Sequence, residues 1–326
     1  MKNTILRRFI CGLPILFSSI AGAETLNVGS FSGDFSEVGN IGNQADSLEH
    51  VGYRGSIGFG AVSYGYKIAK YETTVSQYVT FLNSVASVVD TYGLYNANSG
   101  IQFSNGLYSA GTGRGSASKP ITYVSYYDAV RYINWIANGA SSISSTESGS
   151  YIITNGGIDI GNISGRSGNA KYVMPTEHEW YKAAYNNGML STNYSDSPTD
   201  GRSMFGADYP NLANRGLGTT VDVGSYGEGY YGTYDMAGNV WEYSETYMGL
   251  TNGVETYGIR GGAYIGYSGY DADASFRGDT YYLTDSRTGQ DANVGFRIAI
   301  APEPSALSLL AVALGGLAVM RRRRGC

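Results

Sequence analysis

The residues best placed to do chemistry lie in "YDMAGNVWEYSE", Tyr234 to Glu245. Asp235 and Glu242 flank a Gly-Asn pair that should turn the chain, and Val240-Trp241 should bury it. Either the carboxylates cap and solvate that turn, or they converge on something. Two carboxylates seven residues apart meet only if the chain loops back, and Gly238-Asn239 supplies such a loop.

Other chemistries find little support. The only histidines are His50 and His178, so no His cluster exists for iron or zinc. His178 lies between Glu177 and Glu179 on a helix start, where carboxylates suit the helix dipole and the imidazole is expected in solvent. The only cysteines are Cys11 and Cys326, one near each end. The body between them carries no thiol chemistry and no disulfide. No Ser/His/Asp set and no phosphate-cradling Gly-Lys loop stands out.

Three helices must position these groups. "TTVSQYVTFLNSVASVV" puts Val75, Tyr78, Leu82, Val85 and Val89 on one apolar face. "SYYDAVRYINWIA" opens with a capping box, Ser125 to Asp128, and buries Ala129, Tyr132, Ile133 and Ile136. "PTEHEWYKAAY" has another, Thr176 to Glu179, with Trp180, Ala183 and Ala184 inward. Elsewhere Gly, Asn and Ser interrupt short apolar runs such as "EVGNIGNQAD", "IITNGGIDIGNI" and "VGFRIAI", which read as short strands and long loops. Segments 100–118 and 139–170 read as glycine-dense insertions. The expectation is an irregular α+β domain with about three helices.

In order, "YKIAKYETTVSQYVTFLN", "KPITYVSYYDAVRYINWIA", "YVMPTEHEWYKAAY", "YGTYDMAGNVWEYSE", "IRGGAYIG" and "NVGFRIA" resemble the sulfatase-modifying factor family, the formylglycine-generating enzyme domain. The resemblance runs over roughly residues 35 to 300. It implies a decorated C-type-lectin-like α+β fold. It also implies calcium at the Asp235 loop, held by the Asp235 and Glu242 side chains and the Gly238 and Val240 carbonyls, with Trp241 packed behind. A second family calcium site maps to Asn214 and Arg215, and its later ligands fall in "GLGTTVDVGSY", where Asp222 is poorly placed. Arg260, Arg277 and Arg297 match family arginines. Arg260 and Arg297 are expected to pair with buried carboxylates and carbonyls through the planar fork, and Arg277 to reach a surface cleft.

The family's oxidases bind copper through two cysteines between "RGGSY" and "GFR". Here Gly266 stands near the first position and no cysteine stands at either. Cu(I) is soft and wants thiolate, so copper is not expected; oxygen ligands such as Asp271 or Asp273 do not replace it.

The ends read as sorting signals. Residues 1–23 combine Lys2, Arg7 and Arg8 with an apolar run, Phe9 to Ile20, that is shorter than the ~18 residues of a membrane span. Ala21-Gly22-Ala23 then supplies a cleavage site. Residues 302–326 join Pro302-Glu303-Pro304, an apolar stretch and Arg321 to Arg324, and resemble the PEP-CTERM tail of Gram-negative bacteria. That implies exosortase and the secretion machinery as partners, transient membrane contact through the tail, and delivery to the outer surface or matrix. Residues 24–301 form the domain between.

Without the terminal arginines, Lys2, Arg7, Arg8 and Glu303, fifteen basic residues face 26 acidic ones, a formal charge of −11. This excludes nucleic acid as an expected partner. The 30 tyrosines suit sugar and protein surfaces. The reading that follows is an exported, calcium-stabilised, non-catalytic module for a glycan, exopolysaccharide or surface protein. The alternatives are a formylglycine-generating oxidase acting on sulfatase cysteine, or another enzyme on the same scaffold.

Overall fold

The computed structural model describes residues 23–47, 58–154, 163–188, 194–195, 198, 217–251, 254–265, 272–274, 276–279 and 290–302. In chain order its elements are β1 (Glu24–Val28), β2 (Phe31–Val38), β3 (Tyr66–Ala69), α1 (Val75–Val85), β4 (Gln102–Ser104), β5 (Leu107–Ser109) and α2 (Tyr126–Ala137). They continue with β6 (Tyr172–Val173), α3 (Glu177–Tyr185), β7 (Trp241–Thr251), β8 (Val254–Arg260), β9 (Gly278–Asp279), β10 (Val294–Gly295) and β11 (Ala299–Ile300).

Each helix starts where the sequence supplies a reciprocal cap. In α2 the Ser125 hydroxyl accepts from the Asp128 N–H at 3.1 Å and the Asp128 carboxylate accepts from the Ser125 N–H at 2.8 Å. In α3, Thr176 and Glu179 do the same at 3.2 and 2.7 Å. In α1 the pair is Thr74 and Gln77, at 3.2 and 2.9 Å. Each box satisfies two of the N–H groups that a helix start leaves unbonded.

The apolar faces go where the spacing sends them, with one exception. Val75, Tyr78 and Leu82 are buried, but Val89 is exposed. The helix ends at Val85, with Ala86 as its C-cap. Asp90 then draws the chain away, its carboxylate accepting the Leu94 and Tyr95 N–H groups. The β-branched pair Val88-Val89 adds little helix propensity to oppose that loop.

The architecture is α+β. One sheet has the order β1-β2-β3-β11-β6, antiparallel throughout, so the chain's last strand lies between β3 and β6. A second has the order β10-β7-β8-β9, with β10 parallel to β7. A hairpin, β4-β5, fills the insertion around residues 100–118 and packs on α1. The core lies between the first sheet and helices α1 and α2, where Phe31, Phe35, Tyr78, Phe81, Tyr132 and Phe296 interlock edge to face and Trp135 packs at a tilt on Phe81. Such edge-to-face geometry matches the ring quadrupoles.

Candidate functional site

The Asp235 loop links the end of a turn-rich segment to β7. Asp235, Gly238 and Asn239 all have left-handed backbones, with φ of 55°, 79° and 61°. Glycine and asparagine tolerate that region best, so the Gly-Asn pair does reverse the chain. The Gly238 N–H bonds the Gly261 carbonyl at 2.7 Å, and the Tyr264 N–H bonds the Asn239 carbonyl at 3.0 Å. Asn239 also accepts the Val221 N–H at 2.9 Å. The loop is thereby tied to the turn after β8 and to residues 221–226. Trp241 is buried behind it, 5.5 Å from the Phe276 ring.

Both carboxylates are buried and both are engaged. Asp235 accepts the N–H groups of Gly224 and Tyr226, the latter at 3.1 Å. It caps the neighbouring loop. Glu242 accepts two bonds from Arg297, each 2.6 Å, and the Trp180 indole N–H at 2.8 Å. Burial pushes the Asp235 carboxyl up to about 6, with Glu242 adding to it and the two backbone N–H groups and Arg297 opposing.

The residue that sequence reasoning missed is Glu72, which precedes α1 in "KYETT". It is buried, and its carboxylate oxygens make no hydrogen bond of full geometry with any described residue, only a marginal one with the Asn239 side chain. Burial and the charge of Asp235 push its carboxyl well above the usual range, while Arg297 and Asn239 pull it down. Three carboxylates thus share a buried neighbourhood with one guanidinium. A poorly bonded buried carboxylate is costly unless a cation joins it. Carboxylate oxygens are hard donors of the kind that calcium takes. Among the described residues no three His, Cys, Asp or Glu side chains form a ready-made metal cluster, so backbone oxygens would have to complete the shell.

The other candidates fall as follows. Arg297 is a fork, as its type suggests, and also donates to the Ala69 and Tyr234 carbonyls at 3.1 and 2.9 Å. Arg260 lies 3.5 Å from Glu177 and donates to the Ala274 carbonyl at 3.1 Å. Arg277 does not reach a cleft: it is buried, bonds Glu177 at 3.0 Å and lies 3.6 Å above the Phe59 ring. Glu177 and Glu179 do more than face a helix dipole. Both are buried in ion pairs, Glu177 with Arg277 and Glu179 with Arg166 at 3.0 Å. His178 is exposed, and its Nδ1 accepts the Gly60 N–H at 3.2 Å. Asp222 is exposed. Asn214, Arg215, His50, Gly266 and Asp271 lie outside the described residues.

Residues 61–302 match the family model described as "Sulfatase-modifying factor enzyme 1-like domain". The chain belongs to that family. Within it, the chain is 26% identical over 206 residues to the formylglycine-generating enzyme of Streptomyces coelicolor, a match covering 57% of this chain. The matched region spans about half of that enzyme, 54% of its length. The fold is shared with Treponema denticola variable protein 1, at a TM-score of 0.58 and 20% identity over 86% of this chain and 99% of the other. CarF gives a TM-score of 0.55 and 20% identity over 85% and 100%. PvdO of Pseudomonas aeruginosa gives 0.53 and 18% over 87% and 100%. At these identities the structures speak for the fold alone.

Proposed function

We propose that this family member is an exported, non-catalytic binding module, braced by calcium at the Asp235 loop and displayed at the outer surface or in the matrix for a glycan, exopolysaccharide or protein partner. One observation carries the non-catalytic reading. The chain has no cysteine between Cys11 and Cys326. A site that holds Cu(I) and a substrate thiolate needs soft sulfur ligands, and carboxylates do not substitute for them. The scaffold survives that loss, because its core rests on Trp135, Trp180, Trp241 and the helix faces.

Calcium's role in this reading is structural. Asp235 and Glu242, with the Gly238 and Val240 carbonyls, would hold the ion, and Glu72 would supply a carboxylate that is now only marginally hydrogen-bonded. The ion would offset the excess of buried carboxylate and fix the loop that leads into β7.

The test is mass spectrometry of a sulfatase-motif peptide incubated with the purified protein, copper, a reductant and oxygen. The expected result is an unchanged cysteine beyond the copper-only control. Thiol loss with aldehyde formation above that control would make the chain a formylglycine-generating oxidase.

A further inference from the structure

A cavity of about 320 Å³ opens beside the β7-β8 hairpin. Its walls are Tyr126 from α2, Tyr247 from β7, Tyr257 from β8, Glu245, and Ile163 with Ser164. Its size is at the lower end for small-molecule pockets, ~300–1,000 Å³.

The wall is built rather than incidental. Tyr126 and Tyr257 stack face to face, with centroids 3.8 Å apart and planes 9° from parallel. Tyr247 meets Tyr257 edge-on at 6.2 Å and leaves half of its own surface exposed, 52%. Arg166 bridges Glu245 and Glu179, bonding Glu245 Oε2 at 2.7 Å, and the Tyr151 hydroxyl donates to the same oxygen at 3.0 Å. These bonds fix the carboxylate's orientation and use one oxygen. Glu245 Oε1 receives no hydrogen bond from any described residue.

The second polar group is the hydroxyl of Tyr126, a residue that lines the pocket and is 6% exposed. Its electrostatic neighbours are Tyr151, Tyr257 and Glu245. Burial and these neighbours push its pKa well above the usual phenol range, so it stays an O–H donor at any physiological pH.

The geometry points to a saccharide-binding pocket: the exposed Tyr247 ring takes the C–H face of a pyranose, and Glu245 Oε1 with the Tyr126 hydroxyl takes its ring hydroxyls. A sugar presents an apolar face and a polar rim on one small ring. The pocket offers aromatic surface and two convergent polar groups at matching scale. This assignment rests on the binding-module reading and gives it a site and a ligand class.

Saturation-transfer NMR on the purified full-length protein, with the methyl glycosides of glucose, galactose, mannose and N-acetylglucosamine as probes, tests it. At least one glycoside should give a signal, and titration should give an affinity. Tyr247→Ala, at a half-exposed position, and Tyr126→Phe, which keeps the stack, should each weaken it by about tenfold. Melting temperatures should stay within a few degrees of the parent. No signal from any glycoside, or affinities unchanged in both variants, would overturn the pocket assignment. The peptide assay reads the module assignment separately, so the two can fail independently.

Discussion

Arg297 grips Glu242 with two parallel bonds, Nε to Oε2 and Nη2 to Oε1, each 2.6 Å, and neither side chain has exposed surface. The same guanidinium reaches the Ala69 and Tyr234 carbonyls, so it joins β3, the Asp235 loop and β7 at one point. Breaking one side of a buried pair strands the other charge, at a cost of about 3–5 kcal/mol. Arg297→Met is expected to lower stability by that amount in denaturant unfolding. Glu242→Gln should cost less, because an amide oxygen still accepts the Trp180 N–H. Equal, small losses in both would mean that the pair carries no such load.

Glu72 makes the calcium reading quantitative. A site filled at 100 times its dissociation constant adds about 2.7 kcal/mol to stability. Calcium is therefore expected to raise the melting temperature and EDTA to lower it. Glu72→Gln keeps the shape of a carboxyl that burial already pushes toward its protonated form but cannot ionise, so it should leave the calcium-free protein about as stable while abolishing most of the calcium increment. Asp235→Asn should weaken the increment and also loosen the loop it caps at Gly224 and Tyr226. An identical melting curve with and without EDTA would leave Asp235 as a capped turn and nothing more.

What could be read in the chain beforehand divides by distance. The Ser125 and Thr176 boxes were legible, because a cap is a four-residue event. The Gly-Asn reversal was legible for the same reason. The fork of Arg297 was legible as a type, but its partner lies on another element; among the described residues Arg260 forms no fork, since only its Nη2 makes a hydrogen bond, to the Ala274 carbonyl. Val89 misled because periodicity ignores the competing loop that Asp90 anchors. Glu72 was invisible: nothing local marks a carboxylate as poorly bonded, and its neighbours Asp235, Glu242 and Arg297 arrive from the far half of the chain. The Tyr126–Tyr257 stack is hidden likewise, since it needs α2 to lie against the β7-β8 hairpin. The order β3-β11-β6 comes from pairings that no local pattern encodes.

The ends give a prediction of mass. Protein recovered from the outer surface is expected to begin at Glu24, after Ala21-Gly22-Ala23, and to lack Arg321 to Arg324. Intact-mass spectrometry decides it. A mass equal to the full translated chain would sink the two-ended sorting proposal, and with it the expected partnership with an exosortase.

Asp128 gives a prediction of pH dependence that is independent of any ion. It caps α2, is buried, and accepts from Ser125 and from Gln290 at 3.2 Å. Burial raises its carboxyl from 3.8 to about 6, with the Ser125 and Gln290 hydrogen bonds and Arg131 opposing. The folded protein therefore holds this proton more tightly than the unfolded chain does. Its contribution to stability is fully present below about 3.8 and is lost as pH rises through about 6. Two pKa units correspond to about 3 kcal/mol. Asp128→Asn keeps an acceptor for the Ser125 N–H and cannot ionise, so it lacks this slope. The stability of the variant relative to the parent should rise between pH 4 and pH 7 by up to about 3 kcal/mol. Urea unfolding at several pH values measures the difference and cancels the carboxylates common to both proteins. Parallel curves across that window would show that Asp128 titrates at its ordinary value, and that the cap and Gln290 fully offset its burial.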